Sequence, residues 1–236
     1  VRVADASKVY GAANSTITGA AVSGVGAANV TASFGSAVLE LSDAGEYLYS
    51  SPNVLSVTNK VAGRTTFADF STGKLTITPK ALTVALQGTT ANPLTKVYNG
   101  NENITLASGN FALSGFVGQQ GTGATLGGVT SGTFNSKNVL QATTVSAGLT
   151  GATLGGLADG VKASNYSLPT GPVTAAGSIT AKGITVSGLT AKNKVYDSTR
   201  TAMLTGTAVL DSLGLIQGDT VNVTGTASGL FADKQV

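Results

Sequence analysis

The chain has no cysteine, no histidine and no tryptophan, and only 11% of its 236 residues are charged. Each absence removes a class of chemistry. Without cysteine there is no disulfide framework and no thiolate metal site. Without histidine the usual general base, the Ser-His pair and the commonest zinc ligand go together. The lack of tryptophan takes away the large aromatic platform on which ligand rings commonly stack. No apolar run reaches the ~18 residues that a membrane helix needs. Val1-Arg2-Val3-Ala4-Asp5 lacks the basic start and apolar run of a signal peptide, so the sequence reads as a piece of something longer. The formal net charge is +3, and Lys60, Arg64, Lys74, Lys80 and Lys137 stand without basic neighbours; Lys192, Lys194 and Arg200 form the one close set. Nucleic-acid grooves cluster such residues among aromatic platforms, so no nucleic-acid partner is expected.

What is present is glycine (32 residues), threonine (34) and enough hydrophobic residues (42%) to bury a core. It is arranged as an internal repeat. Lys8-Val9-Tyr10-Gly11 recurs as Lys96-Val97-Tyr98-Asn99 and again as Lys194-Val195-Tyr196-Asp197, the tyrosines lying 88 and 98 residues apart. That period suits one small domain per repeat. Ile77-Thr78-Pro79-Lys80-Ala81-Leu82-Thr83-Val84 is matched by Ile179-Thr180-Ala181-Lys182-Gly183-Ile184-Thr185-Val186, which sets boundaries near 80 and 182. Ser131-Gly132-Thr133-Phe134 with Lys137-Asn138-Val139 recurs as Ser228-Gly229-Leu230-Phe231 with Lys234-Gln235-Val236. The expected modules are 1–80, 81–182 and an incomplete 183–236.

Period-two alternation dominates, and no helical period persists over a dozen residues. Expected strands include Thr16–Thr18, Val38–Leu41, Tyr47–Tyr49, Lys74–Thr78 and Ala81–Leu86, then Lys137–Leu140, Thr143–Val145, Tyr166–Leu168 and Ser178–Thr180. Pro79 follows Thr78 where a ladder donor can be spared. Asn99-Gly100 is the pair that a type I′ hairpin prefers. The fold class that follows is mainly β: tandem antiparallel modules, sandwich or β-grasp-like, in an elongated array.

Candidate chemistry is sparse. Glu40, Asp43 and Glu46 are the densest acidic group, but no Asp-x-Asp-x-Asp phrase supplies the oxygens of a calcium loop, and a solvated turn is the plainer reading. Tyr47 and Tyr49 share one face of a strand; they are the candidate ligand-binding pair, able to stack on a sugar, against a half-exposed aromatic pair in a sheet. Tyr10, Tyr98 and Tyr196 read as core residues whose hydroxyls bond backbone, as in a tyrosine corner. Asp197 reads as a turn residue, because Asn99 and Gly11 take its place elsewhere. Gly121-Thr122-Gly123 has no amphipathic helix after it and makes no phosphate cradle. Lys96 and Asn165 are the pair that an isopeptide bond would join, with Glu102 the one acid close in sequence; a solvated lysine and a turn asparagine is the alternative. Asn14, Asn29, Asn103, Asn165 and Asn222 begin Asn-x-Ser/Thr sequons. No catalytic residue, metal site or cofactor is expected.

Lys194-Val195-Tyr196-Asp197, Phe231-Ala232-Asp233-Lys234-Gln235-Val236, Asn165-Tyr166-Ser167-Leu168 and the Ile-Thr-Ala-Lys joint together resemble the YDG-type repeat of large exported bacterial adhesins. The first module is similar to the related YGX-type MBG repeat. Ser198 departs from the glycine usual at its place, and Asn99 from the usual aspartate. The resemblance implies stalk or spacer modules of a secreted, outer-surface adhesin, supporting cell adhesion, aggregation or biofilm formation, with neighbouring modules of the same chain as partners. The alternative is a module that binds extracellular polysaccharide or a partner cell directly. A cysteine-free chain fits export, since such proteins stay unfolded until they cross the outer membrane.

Overall fold

The computed structural model describes residues 2–14, 22–23, 30–35, 39–51, 54–59, 73–211 and 214–233. The expected strand Thr16–Thr18, Val38, Asn29, Lys60, Arg64 and residues 234–236 lie outside the described residues. Among those described, the chain is mainly β, in several small sheets of which the largest has four strands.

Each of the first two modules is closed by one long-range pairing. Ala6–Val9 runs parallel to Lys74–Thr78, with Lys8 opposite Ile77. Thr95–Val97 runs parallel to Ser178–Thr180, with Lys96 opposite Ile179. The tyrosine after each opening strand extends the ladder by one bond: the Tyr10 amide donates to Thr78 (2.9 Å) and the Tyr98 amide to Thr180 (2.8 Å). The threonine hydroxyl then donates back, Thr78 to the Lys8 carbonyl and Thr180 to the Lys96 carbonyl, each at 3.3 Å. The two Lys-Val-Tyr segments are therefore equivalent. Parallel pairing requires a long crossover, and here almost the whole module supplies it. The expectation of purely antiparallel modules is corrected by these two pairings and by a third, Lys80–Ala81 with Tyr166–Ser167.

Alternation decides what is buried. In Lys74–Thr78, Leu75 and Ile77 face inward and are essentially sealed (0% and 1% exposed), while the intervening threonine and lysine look out. The second module hangs on a four-stranded sheet, Asn103–Thr105, Ser131–Phe134, Thr144–Ala147 and Val173–Ala176 in that order. Phe134, Val145, Leu126, Phe111 and Ile179 fill its core. Buried Asn110 ties loops to it: its amide donates to the Gln87 and Asn92 carbonyls, and its oxygen accepts from the Ala107 amide. Such a residue leaves no hydrophobic signal in the sequence.

Pro79 separates strands of different sheets, since Lys74–Thr78 belongs to the first module's sheet and Lys80–Ala81 pairs within the second. From 183 onward the chain repeats two pairings of module two. Val186–Ala191 pairs with Leu204–Leu210 across a bulge, as Thr83–Leu86 does with Phe111–Ser114. Thr201–Ala202 pairs with Gly229–Leu230, as Asn103–Thr105 does with Ser131–Phe134. No strand pairs with Lys194-Val195-Tyr196 among the described residues, and Val195 and Tyr196 are 89% and 58% exposed.

Three expected local structures are corrected. Leu39–Leu41 is a turn rather than a strand, because the Ser42 amide closes onto the Leu39 carbonyl and that carbonyl and the next are claimed by Lys8. Lys137–Leu140 is also a turn: the Asn138 carbonyl accepts the amides of Gln141 and Ala142, and Leu140 projects into solvent. Asn99-Gly100 makes no hairpin, since Thr95–Val97 pairs with Ser178–Thr180 and the following Asn103–Thr105 with Ser131–Phe134.

Candidate functional site at the module joints

The repeated lysine is the first element of the site. Lys96 Nζ donates to Asn99 Oδ1 (2.8 Å), the Asn101 carbonyl (2.7 Å), Asn101 Oδ1 (2.9 Å) and the Asn103 carbonyl (2.7 Å). Lys194 Nζ donates to Asp197 Oδ1 (2.7 Å), the Thr199 carbonyl (2.9 Å) and Thr199 Oγ1 (2.8 Å). Each ammonium also lies over a phenylalanine, Phe134 at 5.8 Å and Phe231 at 5.9 Å. The loop wraps the ammonium much as a loop wraps a metal cation, so a tethered charge fixes the turn after the strand. Either an amide or a carboxylate oxygen can accept, which is why Asn99 and Asp197 interchange. Where it is a carboxylate, the Lys194 ammonium and the Thr199 backbone and hydroxyl pull Asp197 down to about 2. Lys8 is the most buried of the set, at 4% exposure, and is reached by Asn14 Oδ1 (2.8 Å) and the carbonyls of Ala12, Leu39 and Glu40. Burial pushes its ammonium down, and the Glu40 charge opposes that shift.

The tyrosine and the turn after each lysine meet the next module. Tyr10 is buried against Tyr166, ring centroids 5.5 Å apart at 78°, and Tyr166 sits edge-on to Phe116 at 5.1 Å. Tyr10 and Tyr166 both donate to Gln120 Oε1, and the Tyr166 oxygen accepts the Val117 amide at 3.1 Å. Gly11 (φ +73°) is pressed onto Val117 so closely that a Cβ would come within 2.2 Å of its Cγ2. The second joint repeats the pattern about a hundred residues on. Tyr98 donates to Asp219 Oδ1 at 3.0 Å, and a Cβ on Gly100 (φ +82°) would lie 2.7 Å from Ile216. The tyrosine hydroxyls thus bond side chains of the following module rather than backbone within their own, which corrects the tyrosine-corner reading.

Asn165, 1% exposed, belongs to the first joint as well. It donates to Asp43 Oδ1 at 2.8 Å and accepts the Ala44 amide at 2.7 Å, and Lys162 pairs with the same Asp43 at 2.6 Å. Lys162 first and Asn165 second hold the Asp43 carboxyl below its ordinary range. The structure does not bring Lys96 and Asn165 together, since each bonds to a different module. Burial of Asn165 also removes that sequon from the surface, while Asn103 and Asn222 remain exposed.

The structure keeps the candidate pair Tyr47 and Tyr49 on one face of the strand and turns that face inward, to the same cluster, at different depths. Tyr49 is 2% exposed, its ring tilted against Phe34 at 6.1 Å and its hydroxyl donating to the Ala4 carbonyl at 2.9 Å. Burial pushes its phenol up to about 12. Alternation carries Tyr49 inward: Leu48 beside it is 52% exposed, and the Tyr49 amide extends the ladder by donating to the Gly73 carbonyl at 2.9 Å, so burial leaves no ring face for a sugar. Tyr47 is half-buried and donates to the Asp43 carbonyl at 2.8 Å. Glu46 pairs with Lys74, so the acidic group is dispersed among cations. No group of three metal-ligating residues converges among the described residues.

Comparison with family models matches the YDG domain twice, over residues 78–175 and 180–236, more than half of the chain. The chain belongs to the YDG domain family. The first matched unit ends just before the closing strand Ser178–Thr180, the second begins at that strand's last residue, and the two meet at the second joint. No curated protein and no solved structure matches the chain.

Proposed function

We propose that this chain is part of the stalk of an exported bacterial surface adhesin, tandem YDG-type modules that hold a binding tip away from the cell and so support adhesion, aggregation or biofilm formation. The observation that carries the reading is the repeated joint. Tyr10 bonds Gln120 while Gly11, directly after it, presses on Val117, and Tyr98 bonds Asp219 while Gly100, two places after it, presses on Ile216. A joint built twice from the same parts gives each module a fixed pose on the next, and repetition then sets length. Load along the chain would be borne by the parallel closing pairs, whose hydrogen bonds tie the first strand of a module to its last. Low charge, a threonine-rich surface and freedom from cysteine suit export and an outer-surface location. The role is mechanical, with no enzymatic step and no cofactor.

Small-angle scattering on chains of one, two and more modules tests the reading. The maximum dimension should rise by a constant increment per module; a dimension that stays flat as modules are added refutes the stalk.

A second reading, direct binding of polysaccharide, is favoured by one feature. A groove of about 480 Å³ beside the Lys96 loop is lined by Asn92, Asn99, Asn103, Thr105 and Lys96. A glycan array probed with the chain decides it: retention on a defined polysaccharide, abolished by Asn103→Ala, would make this a binding module.

A further inference from the structure

Asn99 and Asp197 occupy one position in two repeats. A side-chain oxygen of each accepts the ammonium of the lysine three residues before it, Lys96 at 2.8 Å and Lys194 at 2.7 Å. The loop thus already accommodates the carboxylate that hydrolysis of the Asn99 amide would create. Asn99 is followed by glycine, and Asn99-Gly100 is the sole Asn-Gly pair in the sequence. No side chain on Gly100 screens its backbone nitrogen, which donates to no group among the described residues. Asn99 is exposed, and among the described residues its own amide nitrogen has no partner either. Asn135, also exposed and followed by the small Ser136, is held differently. Its oxygen accepts the Thr143 and Thr144 amides (2.9 and 3.0 Å), and its nitrogen donates to the Gln141 carbonyl and Thr143 Oγ1 (3.1 and 3.2 Å).

We propose that Asn99 is a self-modifying residue, converted by water to aspartate through a cyclic imide, with the Lys96 ammonium promoting the conversion and directing it to ordinary aspartate over isoaspartate. In the first step the Gly100 nitrogen bonds to Asn99 Cγ and the Cγ–Nδ2 bond breaks. The leaving nitrogen departs as ammonia with the proton that Gly100 gives up. Lys96 withdraws charge from Cγ through Oδ1 and stabilises the negative charge that gathers on that oxygen. In the second step water attacks the imide. Attack at Cγ breaks the new bond, returns a proton to the Gly100 nitrogen and leaves ordinary aspartate. Attack at the Asn99 backbone carbonyl breaks the peptide bond instead and leaves the side chain as the link, which is isoaspartate. Lys96 holds the oxygen on Cγ, so it favours the first course. The product is then bound as Asp197 is, by a charge-assisted hydrogen bond, and Gly100 keeps its place against Ile216. The chemistry is the same whether or not the protein is an adhesin.

The test incubates the whole 236-residue chain at neutral pH and follows the tryptic peptide that carries both Asn99 and Asn135 by mass spectrometry, with electron-transfer fragmentation to tell the two aspartates apart. Asn99 should convert at least about tenfold faster than Asn135, whose four hydrogen bonds must open first. Ordinary aspartate should predominate, whereas the free peptide Lys-Val-Tyr-Asn-Gly-Asn-Glu, the sequence of residues 96–102, should give mainly isoaspartate. In the Lys96→Met chain the product should shift to the isoaspartate share of the free peptide, with an unchanged Asn135 showing module two still folded. If Asn135 converts there as well, that chain has unfolded, and the comparison of the parent chain with the free peptide decides alone. An Asn99 still intact when the free peptide has fully converted overturns the proposal, as does an isoaspartate share equal to that of the free peptide. A folded Lys96→Met chain that keeps the parent's product ratio equally overturns it.

Discussion

Tyr10 and Tyr166, 156 positions apart in the sequence, meet edge to face with ring centroids 5.5 Å apart and share one acceptor, Gln120. They belong to different modules, so their contact couples the folding of the two. Tyr166→Ala should cost about 3–5 kcal/mol, the range for emptying a large aromatic site. The loss should show in denaturant unfolding as a separate, earlier transition for module one. A double-mutant cycle with Tyr10→Ala should return a coupling of about 0.5–1.5 kcal/mol; additive losses would mean that the rings do not interact.

Gly11 combines a positive φ with no space for a side chain. Gly11→Ala should destabilise the joint by about 1–3 kcal/mol. Adding Val117→Ala removes the atoms it strikes and should recover part of the loss. Loss of stability that Val117→Ala only deepens would show the strain to lie in the backbone alone.

Ser198 is the one described non-glycine residue with positive φ, at +64°, and it follows Tyr196-Asp197 as Gly100 follows Tyr98-Asn99. The left-handed conformation disfavours a Cβ, so Ser198→Gly should stabilise residues 183–233 by about 0.5–1 kcal/mol. Hydrogen-exchange protection at Leu204–Leu210 reads it; unchanged or lower protection contradicts it.

Removing the buried ammonium of Lys8 strands three carbonyls. Lys8→Met keeps the stem and loses the donors, and should cost about 2–3 kcal/mol in thermal or denaturant unfolding. A neutral result would show that water takes over the acceptors.

Two ionisations bracket the pH range. Asp43 has a depressed folded pKa, so its pairing with Lys162 and Asn165 contributes above the ordinary carboxyl value of 3.8 and fades as pH falls through the folded value. Tyr49 has a raised folded pKa, about 12 against 10.0, so its contribution is whole below 10.0 and is lost as pH rises towards 12. Acid should loosen the first joint, and alkali should unfold module one with tyrosinate absorbance appearing in the same transition. A tyrosinate titration completed before any unfolding would contradict the second half.

The sequence by itself determined the β class, the repeat and the inward face of Lys74–Thr78, because these depend on local periodicity and on self-similarity. Tertiary structure decided the rest. Parallel closure of each module joins strands some seventy to eighty residues apart, and no local pattern records which distant strand lies alongside. The roles of Tyr10, Tyr98 and Asn165 were hidden for the same reason: their partners Gln120, Asp219 and Asp43 sit in other modules. Tyr49 looked half-exposed because alternation tells which face a residue takes and not what covers that face, and here Phe34 and the first module's core cover it. The lysine of Lys-Val-Tyr reads as a solvated charge until its loop is seen folded round it, since only the path of the backbone brings the loop's carbonyls and its Asn, Asp and Thr oxygens together on one ammonium.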